Sequence, residues 1–196
     1  MIELRETYPY VKVTTLNKFM PPKDRIYPLV KAYTLGAKLY NVENQDKDTD
    51  IWCTEVRKEK EVWFYKESLG RDSAIMQFIT EKPIVQIDTA MDQMNVCIHA
   101  ITFNDGSTAI YKQNKTSWDI YPLYGYNSPK VLLDHPLKKD TPNSDVICIA
   151  CKDGKLYLSY QRYNFSEWIE LASSTTASLV ERIGFINKYT IGIMWR

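Results

Sequence analysis

The feature that most constrains this chain is a hairpin that recurs along it. One copy opens at Asp50-Ile51-Trp52-Cys53, a second at Asn95-Val96-Cys97-Ile98 and a third at Asp145-Val146-Ile147-Cys148. Each opening run is long enough for one strand. After a turn come Glu61-Val62-Trp63-Phe64, Ala109-Ile110-Tyr111-Lys112 and Lys155-Leu156-Tyr157-Leu158, which place an aromatic ring in every second strand. Asp-Gly marks two of the turns, at Asp105-Gly106 and Asp153-Gly154, where positive φ is tolerated.

A third element follows as Asp72–Met76, Thr116–Ile120 and Ser166–Glu170, and a fourth as Ile84–Ile87, Val131–Leu133 and Leu179–Ile183. A fourth opening strand, Lys188–Ile193, gives spacings of 45, 50 and 43 residues between copies. Periods in this range belong to propeller blades of four strands each, and 196 residues hold a little over four of them. Val146 to Cys151 is apolar on both faces, as a strand buried between neighbouring blades must be. The last copy stops at Arg196 after one strand, so an edge would stay open unless the N-terminal residues covered it. Ile2-Glu3-Leu4, Val11-Lys12-Val13 and Lys38–Val42 are the candidate strands, with an extra run at Ile26 to Thr34.

The expected fold is therefore all-β: one domain over 1–196, a small four-bladed β-propeller closed by pairing N-terminal strands with the C-terminal strand. Its copies span approximately 49–92, 93–143 and 144–186, with 187–196 completed by 1–48. An antiparallel β-sandwich is the alternative, since similar hairpins also arise from generic β composition. A helix over 52–68 is disfavoured by Val62-Trp63-Phe64-Tyr65, and the Lys58–Glu61 charge run reads as a solvated turn.

Leu156–Tyr160 followed by Ser166-Glu167-Trp168 resembles a degenerate form of the Asp-box blades of sialidase-like propellers. The Asp and Gly that such a box places between its Ser and Trp are missing from Gln161–Phe165, and Lys115–Trp118 keeps only the Thr and the Trp. The resemblance implies a propeller blade and carries no catalytic residue across.

Charge narrows the partners. Twenty-five basic against 24 acidic residues give a net +1, too little field for a nucleic-acid or anionic-membrane binder. The first residues, with Glu3 and no long apolar core, have neither the form of a signal peptide nor that of a membrane span, so a cytoplasmic or virion-associated setting is expected. Eighteen Lys against seven Arg fit an AT-rich coding sequence of the kind found in many bacteria and their viruses.

No residue pattern demands a cofactor or a metal, and no catalytic residue is assigned. Cys148 and Cys151 have a C-x-x-C spacing, but on a strand residues three apart face opposite ways, so all four cysteines read as buried thiols. His99 reads as a hydrogen-bonded interior histidine near the ring axis and His135 as a solvated loop residue. Asp50, Asp145 and Asp153 recur near blade starts; a pair of them at an axial mouth would suit glycoside hydrolysis, and turn hydrogen bonding explains them more simply.

The aromatics are the most suggestive residues. Trp118 and Trp168 fall at equivalent places, and the Tyr121-Pro122-Leu123-Tyr124-Gly125-Tyr126 loop carries three tyrosines in a turn-rich segment. Tyr121, Tyr124, Tyr126, Trp118 and Trp168 are the candidate binding residues. They fit a non-catalytic interaction or assembly module that holds a protein partner or its own oligomer, a virion or tail component being one version. A glycan-binding lectin is the second reading and a glycoside hydrolase-like enzyme the third.

Overall fold

A computed structural model describes residues 4–7, 12–15, 31–35, 51–92, 96–133, 145–187 and 190–195. The described residues form strands and short 3-10 turns with no α-helix, so the fold is all-β. In chain order the strands are β1 Leu4–Thr7, β2 Lys12–Thr15, β3 Lys31–Leu35, β4 Ile51–Arg57, β5 Glu61–Lys66, β6 Ile75–Ile79, β7 Ile84–Met91 and β8 Cys97–Phe103. They continue as β9 Thr108–Asn114, β10 Ser117–Pro122, β11 Asn127–Leu133, β12 Val146–Lys152, β13 Gly154–Tyr160, β14 Trp168–Ala177, β15 Val180–Asn187 and β16 Thr190–Trp195.

Four sheets of four strands result. Sheet I is β3-β4-β5-β6, sheet II β7-β8-β9-β10 and sheet III β11-β12-β13-β14, each an antiparallel meander. Sheet IV is β15-β16-β2-β1 and draws on both ends of the chain. In it β16 lies parallel to β2, with Thr190 opposite Lys12 and Ile193 opposite Thr15. β1 and β2 thus cover the last edge; they overlap the candidates 2–4 and 11–13 at Leu4 and at Lys12–Val13, while Ile2, Glu3, Val11 and the candidate at 38–42 lie outside the described residues.

The strands group one element earlier than the repeat copies 49–92, 93–143 and 144–186. Ile84, Val131 and Val180, read as parts of fourth strands, belong to the first strand of the next sheet. The extra run at 26–34 overlaps β3, the first strand of sheet I. A period fixes the length of a repeat but not its phase. The phase follows from pairing: β7 pairs antiparallel with β8, and at their shared end the Asp92 carboxylate accepts from the Val96 amide at 2.9 Å.

The core lies between successive sheets. Val62, Ile84, Ile87, Ile101 and Phe103 pack sheet I against sheet II, with Phe64, Met91 and Cys97 in a second cluster of the same interface. Ile98, Ile110, Val131, Val146 and Cys148 join II to III, and Ile147, Ile149, Leu156, Val180, Ile191 and Trp195 join III to IV. Each fully buried Ile or Leu stabilises by on the order of 2 kcal/mol. β12 is buried from Val146 through Cys151, because its two faces serve two different interfaces. The first strands also meet in succession: β7 packs on β3 and on β11, and β11 packs on β15.

Candidate functional site

The tyrosine loop joins the outer strand of sheet II to the first strand of sheet III. Its centre is a four-residue turn, Leu123 to Tyr126, closed by the Tyr126 amide donating to the Leu123 carbonyl at 3.2 Å. Gly125 has φ +78°, a left-handed value that glycine adopts without strain. Leu123 is buried among residues of sheets II and III, and its amide donates to the Thr108 carbonyl at 2.9 Å. The Thr108 hydroxyl reaches the carbonyls of Leu123 at 3.1 Å and Tyr126 at 2.6 Å.

The flanking rings are held as firmly. Tyr126 stacks on Trp168 with centroids 3.9 Å apart, meets Tyr157 edge-on at 5.5 Å, and has the Lys152 ammonium 4.9 Å over its ring. Tyr121 packs against Phe165 at 6.2 Å and its phenol donates to Asn164 Oδ1 at 3.4 Å. Asn164 and Phe165 both carry positive φ, 52° and 56°, and such values in a phenylalanine are uncommon enough to mark a constrained segment. Burial pushes the Tyr126 and Tyr121 phenols up from the ordinary tyrosine range, with neighbouring Tyr157 and Asp153 adding to it at Tyr126 and Asp119 at Tyr121. Tyr124 is different: it is 83% exposed at the apex of this braced turn.

Trp118 and Trp168 do hold equivalent places, each near the start of the outer strand of its sheet. Both are half-buried in packing. Trp118 lies 4.6 Å from Phe78 and 5.2 Å from His99, at the contact of sheets I and II. Of the five candidate residues, Tyr126 and Trp168 are brought into direct contact, Tyr121 and Tyr124 share their loop, and Trp118 sits at another interface.

His99 is buried on β8, and its Nδ1 lies 2.8 Å from the Thr89 hydroxyl, which donates to Thr54 Oγ1 at 2.9 Å. Nε2 has no hydrogen-bond partner, and the ring is surrounded by Phe64, Phe78 and Trp118. Burial alone holds its pKa down to about 3. The interior, hydrogen-bonded histidine is as expected, at the contact of two sheets. His135 and Asp50 lie outside the described residues.

Among the described residues no group of three or more His, Cys, Asp or Glu side chains could hold a metal. All four cysteines are free and buried. Cys148 faces the II–III interface and Cys151 the III–IV interface, so the C-x-x-C pair diverges as strand geometry requires. Burial raises the Cys97 and Cys151 thiols to about 12. Asp145 precedes β12 and pairs with Arg162, whereas Asp153 follows β12 in an exposed turn. A whole strand, roughly 25 Å, parts the two carboxylates.

The fold also gathers a group of charges on the first strands that are dispersed in the sequence. Asp88 on β7 accepts from the Val131 amide of β11 at 2.9 Å, and it interacts electrostatically with Lys130 of β11 and Arg182 of β15, as Lys130 does with Glu181. Burial pushes the Asp88 carboxyl up and the Lys130 ammonium down, each opposed by its oppositely charged neighbours. The signal was present as single charges interrupting apolar runs, Ile84–Met91 and Ser128–Leu133.

Among the described residues no helix is long and apolar enough to cross a membrane. A scan against known protein families and a search of curated proteins both find no match.

Proposed function

We propose that the four sheets are the blades of a small four-bladed propeller and that the protein is a non-catalytic interaction module, its protein partner seated on the 121–126 loop with Tyr124 as anchor. The propeller reading is supported by sheets II and III each packing on both faces, by first strands that meet in succession, and by a last sheet shared between the chain ends. A sandwich buries one face of each sheet against a single common core.

The observation that carries the functional reading is an exposed tyrosine at the apex of a turn whose two ends are fixed, Leu123 by burial and Tyr126 by stacking on Trp168, with the Tyr126 amide bonded to the Leu123 carbonyl. Such a ring loses little conformational freedom on docking, which is what makes an aromatic anchor effective. A glycan reading needs open faces on Trp118 and Trp168, and both rings are engaged with neighbouring side chains.

The test places a photoreactive phenylalanine at 124, and at the exposed turn residue Ser107 as control, in cells of the native source. A discrete protein crosslinked from 124 and not from 107 is expected. Tyr124→Ala should weaken that complex by roughly 30-fold, about 2 kcal/mol, with the melting temperature unchanged. Equal labelling from both positions, or none from 124, overturns the proposal.

A further inference from the structure

The tyrosine turn is flanked by a cation. Lys152 is the last residue of β12, and its ammonium lies 4.9 Å over the ring of Tyr126, itself fixed by stacking on Trp168 at 3.9 Å. The same side chain runs beside Gly125: a Cβ there would lie 3.5 Å from Lys152 Cε and 3.8 Å from Nζ. The absent side chain at 125 thus leaves room for the lysine against the peptide that follows Tyr124. Neighbouring cations are neutralised and this one is not. Lys155, opposite Lys152 across the hairpin, holds Glu170 Oε2 at 3.0 Å and is attracted by Asp153 as well. Lys82, beside the turn that leads into β9, holds Asp105 at 2.6 Å. No carboxylate of the described residues pairs with Lys152, so a partly exposed ammonium with three donors has a ring beneath it and no anion.

We infer that Lys152 receives a carboxylate from the partner: the protein segment seated on Tyr124 presents one Asp or Glu side chain, which pairs with the Lys152 ammonium at the base of the turn. This rests on the reading of Tyr124 as the anchor. An ammonium bonded to a carboxylate is stronger than a neutral hydrogen bond. Lys152 is already placed by Tyr126 and Gly125, so little side-chain freedom is lost when it pairs. Asp153 and Glu170 set the charge that the site accepts. Two cations, Lys152 and Lys155, face these two carboxylates, a balance that suits one added negative charge at Lys152. A phosphate dianion is met instead by clusters of arginine.

Two crosslinks on the full chain test this in the native source. Photolabelling from position 124 is repeated in chains that also carry Lys152→Gln or Lys152→Arg. Lys152→Gln should lower the adduct by roughly 10-fold and make what remains less sensitive to salt, while Lys152→Arg, which keeps the charge, should retain it. A water-soluble carbodiimide joins a carboxylate to an amine in contact with it, leaving as its urea. In a lysate of the same cells it should form an isopeptide between Lys152 and an Asp or Glu of the partner segment that is labelled from 124. An adduct from 124 that is indifferent to Lys152→Gln, or an isopeptide from Lys152 only to Asp153 or Glu170 of this chain, overturns the inference and leaves Tyr124 as the anchor. A phosphorylated residue in place of the acid overturns it too. No adduct from 124 overturns the functional reading, and the isopeptide at Lys152 then decides the carboxylate contact by itself.

Discussion

Acid should destabilise this protein through His99, and the size of the effect follows from its surroundings. The unfolded chain takes up a proton at the ordinary histidine value of 6.5, while burial among Phe64, Phe78 and Trp118 holds the folded value down to about 3. Between those values the unfolded state binds a proton that the native state refuses. Stability is therefore full above 6.5 and declines as the pH falls, by about 1.4 kcal/mol per unit, until native His99 itself titrates. Integrated from pH 8 to pH 5 the loss is about 2 kcal/mol, a large part of the 5–15 kcal/mol typical of a domain. His99→Leu removes the titration at the cost of the Thr89 hydrogen bond, about 1 kcal/mol at all pH. Urea unfolding of both proteins at pH 8, 6.5 and 5 isolates the term: wild type should lose about 2 kcal/mol more than the variant on acidification. Parallel pH profiles would refute the argument.

Two further outcomes follow from the same geometry. Gly125→Ala should destabilise by about 1 kcal/mol in urea, from positive φ alone, because the added Cβ would lie 3.5 Å from Lys152 Cε, an ordinary contact. A thiol reagent at pH 8 should find no reactive cysteine in the native protein and four after unfolding, since all four are buried and Cys97 and Cys151 titrate only near 12.

Period and alternation were enough to read most of the strands, because a half-buried strand writes its burial into every second residue; the third element expected at Asp72–Met76 is the exception, since Arg71–Ser73 form a 3-10 turn and the strand is Ile75–Ile79. The two-sided burial of Val146–Cys151 was legible for the same reason, and so was the opposition of Cys148 and Cys151. The phase of the sheets was not. Nothing local distinguishes Ile84 as the first strand of one sheet from Ile84 as the last of another, since only the pairing of distant strands decides it. At the site, the loop and its three tyrosines were legible from turn residues. That Tyr124 alone faces solvent while Tyr126 stacks on Trp168 was not, because those rings meet only after sheets II and III pack. The Asp88, Lys130, Glu181 and Arg182 charges lie on three strands far apart in sequence, and only the fold gathers them.

The arrangement of the sheets rests most on sheet IV, where β16 and β2 meet in one ladder. Nuclear Overhauser contacts between backbone protons of Lys12–Thr15 and Thr190–Ile193 measure that pairing directly. The register Thr190–Lys12, Ile191–Val13, Gly192–Thr14 and Ile193–Thr15 predicts a run of contacts in parallel order, with amides as slow to exchange as those of β12. An absence of contacts between the two segments, or contacts in antiparallel order, would contradict it.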